Sequence, residues 1–382
     1  MRILIDARLY GPKGAKGLGR YVKEIVEGLR RRDQHNHYII LLSRDNWEEF
    51  QASDRFEKVL APWRWYTLAE QLYLPRLIRR CRPDLVHFPH FNVPLLYRGP
   101  FVVTIHDLLL RQYPSRRAST LSPWRYWLKN LAYRLVVRSA IRRARRIITV
   151  SEFTKKEILR YYSVDAARLT VIHNGLTDLS KNNSTLSDDK AVLLRYTITK
   201  PFLLYVGNAY PHKNLPALIA AFSALQPQWS GQLILVGQRD YFYEQLERDM
   251  AHASASADSI RCLGYVSDED LAALYRAASL YVFPSLYEGF GLPALEAMHQ
   301  SLPIAVSDIP GLREVCGPAA AYFNPRDTKS IAATILDTLT DTVRRSVLIA
   351  AGRQQVQRFD WGQSVADHLT IYHACIQEKK IS

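Results

Sequence analysis

Two glutamates eight positions apart, Glu288 and Glu296, flank a short stretch that contains Gly289 and Gly291. The glycines allow a ligand to approach the backbone closely. Carboxylates repel phosphate, but they accept hydrogen bonds from hydroxyl groups. The spacing therefore predicts a ligand that carries sugars on both sides of a phosphate group. The alternative is a pair of ordinary solvated helix charges.

The elements around this stretch would point backbone donors at the phosphate. Residues 280–284 predict a buried strand that ends at a proline, and residues 293–299 predict a helix with a proline in its first turn. The N–H groups of Phe290, Gly291 and Leu292 would then lie at the helix N-terminus, which favours anions. Together with the glutamates, this strand, turn and helix predict a site for a nucleotide-sugar.

A lysine follows another predicted strand, residues 201–207, and opens the next helix. Lys213 would lie at the carboxyl end of a strand, where open α/β sheets bind ligands, and would neutralise a departing diphosphate. Asn208 and His212 lie in the same loop and are further candidate contacts to the substrate. The alternative for Lys213 is a solvated lysine at a helix start.

His106 and Asp107 end the predicted strand 101–106. A neutral imidazole at this position could form a hydrogen bond with a sugar hydroxyl. The alternative is a structural histidine.

A glycine-rich segment, residues 11–20, follows the first strand and predicts a loop that opens a helix at Leu18. Gly17, Gly19 and Arg20 are candidate phosphate or sugar contacts. The segment lacks the G-x-G-x-x-G pattern, and no acidic residue follows at the dinucleotide spacing, which argues against a nicotinamide cofactor.

The Asp268-Glu269-Asp270 run has the spacing of some metal-binding motifs. We interpret it instead as the first turn of a helix capped by Ser267, because acids are favoured there. Neither an HExxH motif nor a Cys/His cluster is present. The sequence therefore predicts that no metal or other cofactor is required.

Charge divides the chain of 382 residues into two parts. Residues 1–185 contain 34 Lys+Arg and 16 Asp+Glu, whereas the remainder contains 17 and 20. Strand and helix patterns alternate through both parts, which predicts two parallel, doubly wound α/β domains. We place them at residues 1–180 and 190–361, joined by a polar linker over 178–190, with a C-terminal helix at about 362–382 that returns to the first domain.

The basic part contains a segment, residues 111–146, with 11 Lys+Arg and no acidic residue. A helix from Pro123 would carry one apolar stripe, formed by Trp124, Trp127, Leu128, Leu131 and Leu135. Such a helix could contact an anionic membrane or an acidic acceptor. The alternative is a stripe that faces the core, with solvated arginines behind it.

The chain lacks a secretory leader pattern and an apolar run of about 18 residues, and its four cysteines are widely spaced. We therefore expect reduced thiols in a cytoplasmic protein, with possible peripheral contact to the inner face of the cell membrane.

Several motifs together resemble the family-4 retaining glycosyltransferases of the GT-B fold, over Met1 to about Tyr372. They are Ile5-Asp6-Ala7-Arg8, Gly17-Leu18-Gly19-Arg20-Tyr21, Ser151-Glu152-Phe153-Thr154, Asn174-Gly175, Pro211-His212-Lys213-Asn214 and the segment from Tyr287 to Met298. The first two of these motifs, near the N-terminus, are similar to those of a bacterial polysaccharide subgroup of mannosyl- or glucosyltransferases.

The resemblance implies two Rossmann-like domains facing a central cleft, and transfer of a hexose from UDP-glucose or GDP-mannose to a glycan or lipid-linked acceptor with an α-linkage. It implies that Glu288 and His106 contact the transferred sugar and that Glu296 binds the ribose. Lys213 would bind the diphosphate, and the backbone near Val266 would read the base.

The loop that contains Lys213 departs from the pattern of that family at two positions. Asn208 and His212 occupy positions that are often arginine there. Arg20 could supply the missing cation. Three alternatives remain open at this stage. They are a nucleotide-sugar epimerase or hydrolase of the same fold, a basic nucleic-acid- or membrane-binding protein without catalysis, and a paralogue of these glycosyltransferases that has lost catalytic activity. The chain carries no recognised nucleic-acid motif, so we expect no nucleic-acid partner.

Overall fold

The computed structural model describes residues 1–113, 123–177, 179, 186–252 and 259–381. These residues form two compact units. Unit 1 takes its described residues from Met1–Pro114, Leu121–Gly175 and Asp360–Ser382, and unit 2 takes its described residues from Leu176–Phe359. The C-terminal helix thus belongs to unit 1 although it follows unit 2 in sequence.

Unit 1 contains a parallel sheet of seven described strands in the order β3-β2-β1-β4-β5-β6-β7. The strands are β1 (Arg2–Asp6), β2 (His37–Leu42), β3 (Phe56–Leu60), β4 (Leu85–Phe88), β5 (Phe101–Ile105), β6 (Arg146–Thr149) and β7 (Leu169–Val171). The helices are α1 (Pro12–Arg32), α2 (Leu68–Cys81), α3 (Leu109–Gln112), α4 (Pro123–Arg143), α5 (Glu152–Tyr161) and α14 (Trp361–Ile381).

Two apolar layers cover the two faces of this sheet. Residues such as Ile3 and Ile5 pack with α1, and Leu4 packs on the opposite side, as the alternation of side chains along a strand requires. The layer around α1 also includes Val365 and Tyr372 of α14. The C-terminal helix therefore completes the core of unit 1.

Unit 2 contains a second parallel sheet, of six described strands in the order β10-β9-β8-β11-β12-β13. The strands are β8 (Phe202–Val206), β9 (Gln232–Val236), β10 (Ile260–Gly264), β11 (Leu280–Phe283), β12 (Ile304–Ser307) and β13 (Ala320–Phe323). The helices are α6 (Leu186–Arg195), α7 (Leu215–Leu225), α8 (Tyr241–His252), α9 (Asp268–Ala277), α10 (Leu292–His299), α11 (Pro310–Cys316), α12 (Thr328–Thr340) and α13 (Thr342–Gln355).

Both sheets reverse their winding once, which confirms the doubly wound α/β prediction. The order changes direction between β1 and β4 in unit 1, and between β8 and β11 in unit 2. In open parallel sheets, ligands bind outside the carboxyl ends of the strands at this switch point. Each unit therefore has one such position. The residues that follow these four strands are the first candidates for binding a ligand.

Two sequence predictions need correction, and one open alternative is decided. Residues 12–17 do not form a loop, because α1 begins at Pro12. The predicted linker over 178–190 contains the start of α6, which is tied to α9 by the ion pair between Asp189 and Arg276; residues 178 and 180–185 lie outside the described ranges. The apolar stripe of α4, for which the sequence left two orientations open, is exposed and does not face the core.

Candidate active site

The segment between Glu288 and Glu296 has the predicted strand–turn–helix form. All four residues of β11 are buried, and α10 begins at Leu292 with Pro293 in its first turn. Gly291 caps the helix with φ of 111°, a backbone conformation that favours glycine. A Cβ atom at Gly291 would lie 2.7 Å from Leu312, so packing beneath the turn also requires glycine.

The structure brings together two of the predicted residues at the switch point of unit 2. The Nζ atom of Lys213, in the loop after β8, donates a hydrogen bond of 2.6 Å to Oε1 of Glu288, in the loop after β11. Both side chains are largely buried, with 14% and 13% of their surfaces exposed. This pair places one cation and one carboxylate next to the start of α10.

Asn214 fixes the lysine loop, and the sequence analysis did not identify it as a functional residue. It adopts a left-handed conformation with φ of 60°. Its side-chain amide donates to the carbonyls of Pro284 (3.1 Å) and Pro325 (2.7 Å). The loop is held a second time because the N–H of Leu286 donates to the carbonyl of His212 at 2.7 Å. The available signal was the residue type, since asparagine tolerates this conformation better than most residues.

Glu296 lies on α10 and is only 6% exposed. The hydroxyl of Tyr275, on α9, donates to its Oε2 atom at 3.0 Å. A carboxylate that is buried and held in this way is oriented, unlike a solvated helix charge. Tyr275 is a second positioning residue that the sequence patterns did not reveal.

The remaining candidates of unit 2 lie in the segments that follow β8, β10 and β11. Burial lowers the pKa of His212 to about 4, so its imidazole is neutral at pH 7. The carbonyl of Asn208 accepts from the hydroxyl of Tyr205 at 2.7 Å. Val266 is buried just after β10, and the ring of Phe290 packs edge-on against Phe359.

The acidic run at the start of α9 is a helix cap, as predicted. The Oγ atom of Ser267 accepts from the N–H of Asp270 at 3.1 Å. The carboxylate of Asp270 also accepts from Arg195 and from the hydroxyl of Tyr196. Across the described ranges, no group of three or more His, Cys, Asp or Glu side chains is arranged to hold a metal ion.

His106 lies at the carboxyl end of β5 in unit 1 and is held from two sides. Its Nε2 atom donates to the carbonyl of Pro89 at 2.9 Å, which leaves Nδ1 as the acceptor of the neutral ring. The ring of Tyr21 packs edge-on against it at 4.6 Å. Burial lowers the pKa of His106 to about 4. The neutral acceptor that the sequence analysis expected is therefore present, whereas Asp107 accepts from the N–H of Leu109.

A buried hydrogen-bond chain continues from Tyr21. It joins the side chains of Tyr372, His87, Thr104, Tyr21 and His368 through four hydrogen bonds of 2.7–3.0 Å. The last histidine bonds through Nδ1 to the carbonyl of Ser364, which can only accept. Burial lowers the pKa of both histidines, so both are neutral at pH 7. With Nδ1 of His368 as the donor to Ser364, its Nε2 atom accepts from the hydroxyl of Tyr21, and the other bonds of the chain follow in one direction.

The residues of the glycine-rich segment lie in different surroundings. A Cβ atom at Gly19 would collide with the carbonyl oxygen of Gly11, so this glycine permits close packing at the start of α1. Gly17 is exposed, with open space around it. Arg20 is partly buried on the same helix. The segment is therefore helical from Pro12, and the contact of Gly17, Gly19 and Arg20 with a phosphate or sugar stays a prediction.

Comparison with known proteins agrees with this geometry. The family model described as Glycosyl transferases group 1 matches residues 195–355, and the model described as Glycosyltransferase Family 4 matches residues 15–178. The structure of HepE from Anabaena, in complex with UDP and glucose, superposes with a TM-score of 0.74 at 21% identity, covering 97% of this chain and 99% of that one. Fold and site thus define a glycosyltransferase of the GT-B class.

Sequence relatives identify the family. The chain is 33% identical over 307 residues to O-antigen chain mannosyltransferase B of Escherichia coli, covering 77% of this chain and 75% of that protein. It is 30% identical over 293 residues to O-antigen chain mannosyltransferase RfbU of Salmonella typhimurium, with coverages of 75% and 74%. The chain belongs to the family-4 glycosyltransferases.

Proposed function

We propose that this glycosyltransferase moves a hexose, with mannose favoured, from a nucleotide-sugar to a glycan acceptor in bacterial polysaccharide biosynthesis. The observation that carries the proposal is the Lys213–Glu288 pair at the switch point of unit 2, beside the N-terminus of α10. Mannose is favoured over glucose because both sequence relatives are named as O-antigen mannosyltransferases.

The roles follow from charge and position. Lys213 and the first N–H groups of α10 would bind the diphosphate, because a helix N-terminus favours anions. Glu288 would accept hydrogen bonds from hydroxyls of the transferred sugar, and Glu296, oriented by Tyr275, from the ribose. Donor binding would give Lys213 a second anionic partner, so the ion pair would change its geometry when the site fills.

We propose that transfer retains the configuration of the sugar. The bond between the anomeric carbon and the diphosphate oxygen breaks, and the acceptor oxygen bonds to the same carbon on the same face. The acceptor proton moves to the departing diphosphate oxygen. Lys213 stabilises the charge that develops there, and Glu288 positions the sugar and stabilises its cationic character, so no covalent intermediate forms.

We propose that no metal takes part, because Lys213 and α10 supply the positive charge that a metal would bring to the diphosphate. The test is thermal unfolding with UDP, GDP, UDP-glucose, UDP-galactose and GDP-mannose, in the presence of EDTA. Ligand at 100 times its dissociation constant stabilises a folded protein by about 2.7 kcal/mol. A shift with GDP-mannose and GDP supports a mannose donor, a shift with the UDP set points to glucose or galactose, and no shift refutes the site.

A second proposal concerns the exposed apolar surface of α4. Five apolar side chains of α4 are 54–62% exposed, namely Trp124, Trp127, Leu128, Leu131 and Leu135. The first four of them, together with Asn130 and Arg134, line a hollow of about 640 Å³. Exposed basic residues, Lys129 and Arg138, lie on the same helix. We propose that this surface contacts an anionic membrane, where a lipid-linked acceptor would lie.

The helices of the described ranges include none that is long and apolar enough to cross a membrane. A flotation assay with phosphatidylglycerol vesicles tests the surface contact. Leu128→Asp and Leu131→Asp should abolish flotation, because a charge opposes insertion of the apolar face. Val347→Asp, at an exposed position of unit 2, is the matched control. Equal flotation of all three variants contradicts the proposal.

A further inference from the structure

Four aromatic side chains gather near the carboxyl edge of the sheet in unit 1, and the mechanism above does not use them. Tyr66 and Tyr73 are 54% and 50% exposed, and Trp63 and Trp65 are partly buried. Trp63 stacks on Tyr73 with ring centroids 5.7 Å apart and an interplanar angle of 15°. We call these four residues the aromatic platform.

A buried ion network holds the platform from below. Arg8 donates to Asp6 at 2.7 Å and to Glu70 at 2.8 Å, and the three side chains are 0–2% exposed. The guanidinium of Arg8 lies 4.0 Å from the ring centre of Trp65 and donates to the carbonyl of Trp63 at 3.4 Å. Buried ion pairs contribute little net stability, so the network is better explained by the conformation that it imposes on this loop.

The loop carries backbone strain at the same place. Tyr66 has φ of 63°, which is unfavourable for a bulky side chain. Its N–H donates to Oε2 of Glu70 at 2.7 Å, and Glu70 also accepts from Asn92 at 2.9 Å. Strain that the surrounding structure maintains is concentrated at functional sites.

The platform also lies at the switch point of its sheet. Arg8 follows β1, and His90 follows β4, the two strands between which the order reverses. Trp65 packs edge-on against His90 with ring centroids 6.2 Å apart. His106 follows the neighbouring strand β5, which lies roughly 10 Å from β1 across the sheet, judged from strand spacing.

We propose that Trp63, Trp65, Tyr66 and Tyr73 form a binding site for the glycan chain of the acceptor, one or two sugar rings away from the hydroxyl that reacts. This proposal rests on the proposed function. Pyranose rings present faces of C–H groups that pack on aromatic rings, and binding sites are lined by such rings with a few polar groups. The aromatic side chains are held in advance, so little conformational entropy is lost when a sugar binds.

The probes are α-linked mannobiose, mannotriose and mannotetraose, titrated calorimetrically into the full chain. Affinity should rise with chain length in the wild type, because longer chains reach the platform. Tyr73→Ala and Trp63→Ala should weaken mannotetraose binding by at least fivefold, and Tyr73→Phe, which keeps the ring, should retain it. Val347→Ala, at an exposed apolar position of unit 2, is the control.

The thermal shift caused by the nucleotide-sugar is measured on the same variants. An unchanged shift combined with weakened mannotetraose binding supports the platform. An unchanged shift with unaltered mannotetraose affinity overturns the platform alone, as does a wild type that binds none of the probes. A wild type without any nucleotide shift refutes the proposed function instead. If Tyr73→Ala loses only binding to anionic vesicles, the platform is a lipid contact and the proposal is wrong.

Discussion

Lys213 and Glu288 are 75 residues apart in sequence, yet their charged atoms lie 2.6 Å apart at the switch point of unit 2. The two loops that carry them follow β8 and β11, which are neighbours in the sheet. The cation that we propose for the diphosphate and the carboxylate that we propose for the sugar are therefore positioned by a single strand pairing.

We expect Lys213→Ala and Glu288→Ala each to lower kcat/KM by about 30- to 1,000-fold, which corresponds to roughly 2–4 kcal/mol for a positioned polar group in a transition state. The double variant should lose less than the product of the two effects, because each residue loses its partner in the single variants. Steady-state kinetics with the donor identified by thermal shift provides the measurement. Glu269→Ala, an exposed carboxylate on α9, serves as the control; near-wild-type turnover of both site variants would refute the assignment.

Tyr275→Phe should weaken nucleotide binding by roughly fivefold, since a typical hydrogen bond contributes about 1 kcal/mol. The hydroxyl orients Glu296, and without it the carboxylate should bind the ribose less well. Glu296→Ala should have a larger effect on donor affinity, with kcat changed less than by Glu288→Ala. Isothermal titration with the nucleoside diphosphate measures both, and an unchanged dissociation constant in Glu296→Ala contradicts the ribose role.

Two substitutions of Asn214 distinguish the contribution of its backbone conformation to stability from the contribution of its hydrogen bonds. Asn214→Ala loses two hydrogen bonds and also strains the left-handed backbone, so it should destabilise the protein by about 2 kcal/mol or more. Asn214→Gly loses the bonds but relieves the strain, and should be more stable than the alanine variant. Urea denaturation gives the stabilities. If Asn214→Ala is instead more stable than Asn214→Gly, the helix propensity of alanine outweighs the backbone strain and the prediction is wrong.

Unit 1 should lose stability as the pH falls from neutral. Burial lowers the pKa of His368 and of His106 to about 4, whereas the ordinary value is 6.5. Between these values the unfolded chain binds more protons than the folded chain, so the free energy of unfolding decreases with falling pH, by up to about 1.4 kcal/mol per pH unit for each histidine. Protonation of His368 would also remove the acceptor for the hydroxyl of Tyr21, so the direction of that hydrogen bond would have to reverse.

His368→Gln should therefore flatten this pH dependence, although it costs stability at pH 7. Urea denaturation at pH 5, 6 and 7 checks the slope, and His35→Gln, at an exposed position, should leave it unchanged. A slope in His368→Gln as steep as in the wild type would show that this histidine does not control the transition.

The local elements of unit 2 could be predicted from sequence because their signals are short in range. The strand predicted over 280–284 and the helix predicted over 293–299 agree to within one residue at each end with β11 and α10, and α9 begins where the sequence placed its cap. The cap of α9 by Ser267 needs only three residues. In unit 1, by contrast, β3 and α2 were not predicted. Strand β3 lies at the edge of the sheet and is only partly buried, so its residues lack a continuous apolar run.

The sequence by itself determined the family, the doubly wound class of both sheets and the identities of Glu288, Glu296, Lys213 and His106 as candidates. These follow from residue types, spacing and periodicity along the chain. Tertiary structure alone decided which of them meet, since the Lys213–Glu288 contact depends on strand order, which no local pattern encodes. It also decided that the stripe of α4 is exposed, that residues 12–17 are helical, and that Arg8 lies beneath Trp65. The burial of a side chain and its pairing with another depend on segments that are distant in sequence. For this reason, patterns of neighbouring residues could not predict them.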